Sequence, residues 1–188
     1  MSSLKSFFLR AAHWQIFLLM SGLYATELLI GVSVIGVGPV PAKNVPLLTV
    51  LLLQATAMFV FGVFFLWLWS MGSFLNYLVK PPLRVDFRVF RFALVFPLLY
   101  GLAFPLLVLG PRTFDANLIL AIHLFMMLCV LCAFRFVSKS LALVEETRFL
   151  TFRDYYGYFF LLWFFPVGVW WIQPKINRLY QTQASRLP

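Results

Sequence analysis

FRDYYGYFFLLWFFPVGVWWI, residues 152–172, is the stretch whose reading decides the fold. Its charges, Arg153 and Asp154, stand at the start, and no Asp, Glu, Lys or Arg follows until Lys175. A helix rises about 1.5 Å per residue, so roughly 20 apolar residues cross a hydrocarbon core of about 30 Å. In lipid the backbone must satisfy its own hydrogen bonds, so a continuous apolar run of this length is read as helix. Thr151 and Asp154 have the spacing of a capping box, which starts that helix near Phe152. Pro166-Val167-Gly168 interrupts it, because proline supplies no N–H and crowds the preceding turn. Two readings follow. The preferred one is a kinked full span. The alternative is a re-entrant hairpin that returns the tail to the side it started from.

Working outward, the same arithmetic finds four more spans, at about 14–36, 46–69, 90–109 and 117–137. Gly38, Pro39, Pro41 and Pro46 punctuate the first connection, Pro81 and Pro82 the second, and Gly110-Pro111 ends the third span. The runs lack the alternation of a barrel wall. The expected fold is an all-α polytopic transmembrane bundle of five spans, a single integral membrane domain over residues 1–188. Four spans plus a re-entrant last segment is the alternative. Composition agrees: 63% of the 188 residues are hydrophobic and 11% charged, against roughly 45–50% and 25% in soluble domains. That excludes an ordinary soluble enzyme, a disordered tail and a disulfide-rich secreted module.

The net charge of +9 does not point to nucleic acid, since the basic residues lie between apolar runs and act as topology signals. Five spans put Lys5, Arg10, Lys80, Arg84, Arg88, Arg91, Arg135, Lys139, Arg148 and Arg153 on one side, and Lys43, Arg112, Lys175, Arg178 and Arg186 on the other. The excess favours a cytoplasmic N-terminus, with the first span read as a retained signal anchor. Trp14, Trp67, Trp69, Tyr155, Tyr156 and Tyr158 would form the inner aromatic belt, and Trp170 and Trp171 the outer one. Residues 80–91 and 138–154 are basic connections suited to the membrane surface. Lys80, Arg84, Arg88, Arg91, Arg148 and Arg153 are the expected contacts to anionic lipid head groups.

Ionisable residues inside a membrane are functional candidates by default. Glu27 and His123 are the clear ones. Glu27 lies roughly 20 Å from the inner face, His123 about 9 Å and Gln54 about 12 Å below the outer face, with Tyr100 near mid-membrane. Three helices thus place Glu27, Gln54 and His123 in one polar layer of the outer half, and a fourth brings Tyr100 nearby. The layer suits either helix–helix glue, the favoured reading, or a cation or proton site. The small residues Ser21, Gly22, Ala25 and Thr26 allow close helix approach. Cys129 and Cys132 have redox-pair spacing only, since mid-helix they lack the cation or helix N-terminus that activates a thiol. The sequence contains no G-x-S-x-G, phosphate loop or H-E-x-x-H, and no metal or cofactor is expected.

Trp163, Phe164, Phe165, Pro166, Gly168, Trp170, Gln173, Pro174, Lys175 and Asn177 form the pattern W-F-F-P-x-G-x-W followed by Q-P-[KR]-[IV]-N. This resembles a C-terminal segment of small multi-spanning bacterial membrane proteins of no known activity. The likeness covers about the last fifty residues and implies a bacterial inner membrane. Pro174 is expected to stop the helix at Gln173.

The expected role is a non-enzymatic scaffold or accessory subunit whose partners are the bilayer and other membrane proteins or a second copy. A small proton- or cation-coupled transporter and a membrane-embedded enzyme acting on lipid or quinone are the alternatives.

Overall fold

The computed structural model describes residues 3–35, 47–109 and 115–185. The turn residues Gly38, Pro39, Pro41, Pro46, Gly110 and Pro111 lie outside the described residues, as do Lys43, Arg112 and Arg186 and the side chain of Glu27. Among the described residues every regular element is helical: α1 (Ser3–Arg10), α2 (His13–Ile35), α3 (Leu47–Leu78), α4 (Phe87–Leu109), α5 (Ala116–Glu146), α6 (Phe152–Trp163) and α7 (Phe165–Ala184), with a 3-10 turn at Pro81–Leu83. Three of them contain stretches long and apolar enough to cross a membrane: Gln54–Leu78, Phe87–Phe104 and Asn117–Glu146.

Side-chain pairs give the directions. Trp69 stacks on Phe90 and Gln54 reaches Gly101, so α3 and α4 are antiparallel. Phe90 meets Phe136 and Tyr100 meets His123, so α4 and α5 are antiparallel too. The end of the bundle that carries the N-terminus, hereafter the basal end, also gathers the end of α3, the start of α4, the end of α5 and the start of α6.

Two helices outrun the spans expected of them. α3 continues to Leu78 and α5 to Glu146. At about 1.5 Å per residue each exceeds 45 Å, more than a hydrocarbon core requires. Residues 138–146, expected at the membrane surface, instead extend α5 into the core, where Ser138, Ser140, Leu141, Ala142 and Leu143 are buried. α5 stops where Thr147 turns left-handed at φ 51°, its N–H donating to Leu143 O.

The stretch 152–172 is not one helix. α6 ends at Trp163 and α7 starts at Phe165. Pro166 falls in the first turn of α7, where a missing N–H is harmless. The start is as the sequence indicates: the Asp154 carboxylate accepts from the Thr151 N–H at 2.7 Å. The two helices fold back on each other. A Cβ added at Gly168 would lie 1.6 Å from Leu161 O, so only glycine admits this approach. Phe165, at the apex, packs on Phe64 and Trp67, near the middle of α3. α7 then runs back to the basal end, where Lys175 pairs with Glu145 at 2.7 Å.

Trp170 is therefore not at the opposite end from Trp14. It packs on His13 and Phe17 at the start of α2. Nor does Pro174 stop the helix, which continues to Ala184. One ladder hydrogen bond is lost there, but Ile172, Gln173 and Ile176 are each 0–1% exposed, and their packing holds the helix together.

The core sits at the basal half, where α1, α6 and α7 cover α3 and α5. Trp67, Leu68, Met71, Leu75, Phe90 and Leu141 are almost fully buried there. Gly72 makes room for Phe90, whose ring would stand 2.4 Å from an added Cβ. In the distal half these covering helices are absent, and Leu118, Leu120, Leu124 and Leu128 of α5 are over half exposed. Such a surface is costly in water and expected in lipid.

Candidate functional site

Three of the four residues expected in or near the polar layer meet in space. Gln54 from α3, Tyr100 from α4 and His123 from α5 line one cavity of about 250 Å³. The Tyr100 hydroxyl lies 3.2 Å from His123 Nδ1. Gln54 Nε2 donates to the Gly101 carbonyl at 2.8 Å. That bond has a local cause: Pro105, four residues after Gly101, has no N–H to return to it. Gln54 satisfies the carbonyl that the proline orphans. The rest of the lining is apolar, and Phe61, Phe104 and His123 are exposed, so the cavity opens at the side of the bundle. Chemically this is a hydrogen-bonding site whose lining holds no Asp, Glu, Lys or Arg. Among the described residues no group of three His, Cys, Asp or Glu is placed to hold a metal. A second cavity of about 490 Å³ lies above the hairpin apex, between Met20, Val60, Phe64 and Pro166. Ser21 faces it, whereas an added Cβ at Gly22 would meet open space.

Among the described residues the most densely bonded polar group belongs to the Q-P-[KR]-[IV]-N pattern, where the expected role is a helix stop. Gln173 is 0% exposed. Its Oε1 accepts from the Trp67 indole N–H at 2.9 Å. Its two Nε2 hydrogens are shared among Phe8 O, Ala11 O and Asn177 Oδ1, at 2.8, 3.1 and 2.8 Å, and Asn177 Nδ2 adds a second bond to Ala11 O. Phe8 and Ala11 present the unpaired carbonyls at the end of α1. The Ala12 N–H that would otherwise reach back turns to Gln15 Oε1. Gln173 and Asn177, four residues apart on one face of α7, thus cap α1 from a distance. The Q-P-x-x-N spacing was the available signal. What it lacked was the partner.

The six expected lipid-contacting residues, Lys80, Arg84, Arg88, Arg91, Arg148 and Arg153, are all exposed near the basal end. Arg148 is partly engaged, pairing with Glu146 at 2.6 Å and Asp154 at 3.0 Å. The Thr151 hydroxyl and N–H, with Arg148, hold the Asp154 carboxyl below its ordinary pKa. Arg135 and Lys139, not among the six, line a cavity of about 180 Å³ with Asp86 and Cys132. Arg135 also donates from Nε to the Tyr155 hydroxyl at 3.2 Å. Cys129 is buried and Cys132 exposed, both as free thiols.

Fold and site together define an all-helical protein with apolar helices compatible with a membrane. No family model, curated protein or solved structure matches the chain.

Proposed function

We propose that the chain is an integral protein of a bacterial inner membrane in which α2, α3, α4 and α5 cross the bilayer. In this reading α6 and α7 form a re-entrant hairpin, both termini face the cytoplasm, and the protein serves as a non-enzymatic scaffold or accessory subunit. The observation that carries the topology is the Gln173 knot, which joins α7 to Trp67 and to the α1–α2 turn. With the tail returned to the N-terminal side, only Lys43 and Arg112 are left opposite, which sharpens the positive-inside asymmetry. Basal arginines and lysines then face anionic head groups. The accessory role rests on how the polar side chains are used. Gln54, Gln173 and Asn177 are engaged with backbone carbonyls rather than with a reactive centre.

Cysteine-accessibility labelling tests the topology. With Cys129 and Cys132 replaced by Ala, Ser185→Cys is expected to react with a membrane-impermeant maleimide only from the cytoplasmic side. Labelling from outside would restore the five-span arrangement. The accessory role predicts that the double variant Glu27→Gln, His123→Asn folds and restores whatever phenotype loss of the protein causes. A folded double variant that fails to do so favours the second reading, a small proton- or cation-coupled transporter. The shared cavity of Gln54, Tyr100 and His123 is what supports that alternative.

A further inference from the structure

We infer that the cavity between α3, α4 and α5 binds the ring of a membrane-soluble quinone or quinol. The inference rests on the proposed membrane-spanning arrangement and goes beyond the accessory role. Depth comes first. Gln54 and His123 sit in the distal half, roughly 9–12 Å inside the hydrocarbon if the bundle spans it. A polar group without a partner is costly there. Tyr100 engages only one nitrogen of His123, and Gly101 engages only the amide nitrogen of Gln54. No hydrogen bond among the described residues reaches His123 Nε2 or Gln54 Oε1. A neutral imidazole that accepts from the tyrosine hydroxyl at Nδ1 carries its proton on Nε2. In that tautomer the site offers one donor, His123 Nε2–H, and one acceptor, Gln54 Oε1.

Size and shape narrow the occupant. A dry cavity of about 150 Å³ holds benzene. The 250 Å³ here fits one substituted ring and is small for a drug-sized ligand. Phe61, Phe65, Phe104 and the Tyr100 ring supply flat apolar walls, with Met58 and Met126 as adaptable filler. The exposed Phe61, Phe104 and His123 leave a lateral mouth through which an isoprenoid tail would reach the lipid. A quinone carbonyl accepts a hydrogen bond from His123 Nε2–H, and a quinol hydroxyl can also donate one to Gln54 Oε1. The inference is of binding alone; no electron transfer is part of it.

The test uses the full chain in phospholipid nanodiscs and a photoreactive azido-benzoquinone with a ten-carbon tail. Labelling is expected to saturate, to map to peptides of α3, α4 and α5 around the cavity, and to be displaced by the unlabelled decyl-benzoquinone. His123→Leu is expected to raise the displacement midpoint roughly five- to tenfold, the loss of one hydrogen bond. Ala57→Phe, which fills the cavity and leaves its polar residues unreplaced, is expected to abolish labelling. Should that variant fail to fold, Ala57→Leu and His123→Leu carry the same decision. The proposal is overturned by labelling that does not saturate, by adducts elsewhere, by both variants labelling as the native chain does, or by a ringless long-chain alcohol displacing the probe equally well.

Discussion

Replacing Gln173 by Leu keeps the side chain's bulk and removes its polar atoms, so its effect can be worked from the hydrogen bonds alone. Three groups lose the partner the structure gives them: the part-buried Asn177 Oδ1, and the buried pair of the Trp67 indole N–H and the Phe8 carbonyl. Ala11 O keeps Asn177. Each buried group left unpaired costs about 1–3 kcal/mol, which gives about 4 kcal/mol for the pair. Interhelical hydrogen bonds within membranes average only about 0.6 kcal/mol, because unfolded helices in lipid find other partners. That discount concerns the unfolded reference, whereas the folded variant bears the added penalty of its unpaired groups. Gln173 is 0% exposed, so a leucine in its place admits no substitute donor or acceptor. The expected loss is therefore about 3–4 kcal/mol, measured by reversible unfolding in mixed micelles titrated with a denaturing detergent. Trp67→Phe completes a double-mutant cycle, in which a coupling of at least about 1 kcal/mol is expected with Gln173→Leu. A loss below about 1 kcal/mol for Gln173→Leu, or additive single variants, would refute the claim that this knot fixes α7 against the basal end.

Gly168→Ala should destabilise by about 3 kcal/mol or more, because its Cβ would overlap Leu161 O, whereas Gly157→Ala, where no atom lies within 4 Å, should not; the same titration decides. Gly72→Ala should destabilise by about 1–3 kcal/mol by displacing Phe90, visible as altered near-ultraviolet circular dichroism. Cysteines placed at Glu145 and Lys175 should be joined by a short bis-maleimide in a Cys129- and Cys132-free background; failure to cross-link would contradict the returning α7. Asp154 is stabilised in its charged form, so its contribution is present above the ordinary carboxylate pKa and is lost as pH falls through the lower folded value. Melting curves of the native chain and Asp154→Asn should therefore differ at pH 6 and converge in strong acid.

The helices could be read from the sequence because their causes are local. Runs of apolar residues, the Thr151–Asp154 cap and the break at Pro166 act within a few residues, and depth along a helix is fixed by its rise. Depth alone therefore puts Gln54 and His123 in one layer, with Tyr100 nearby. Their meeting around one cavity required the rotation of three helices, which the rise per residue does not contain. The extensions of α3 and α5 were missed for a related reason. A span length derived from bilayer thickness takes no account of protein that covers the helix beyond it, and α1, α6 and α7 supply that cover.

The sequence by itself determined the helical fold, apolar helices compatible with a membrane, and the breaks at Pro81-Pro82 and Pro166. It left residues 152–172 poised between a kink and a reversal, because Pro166 interrupts the chain equally in both. Only the tertiary structure decided that α7 turns back on α6. The deciding contacts are non-local: Gly168 against Leu161 lets the two helices close, and Gln173 finds Trp67 and the end of α1 far away in the chain. A proline can end a helix from within one turn, but the direction taken afterwards is set by which buried polar groups are satisfied there.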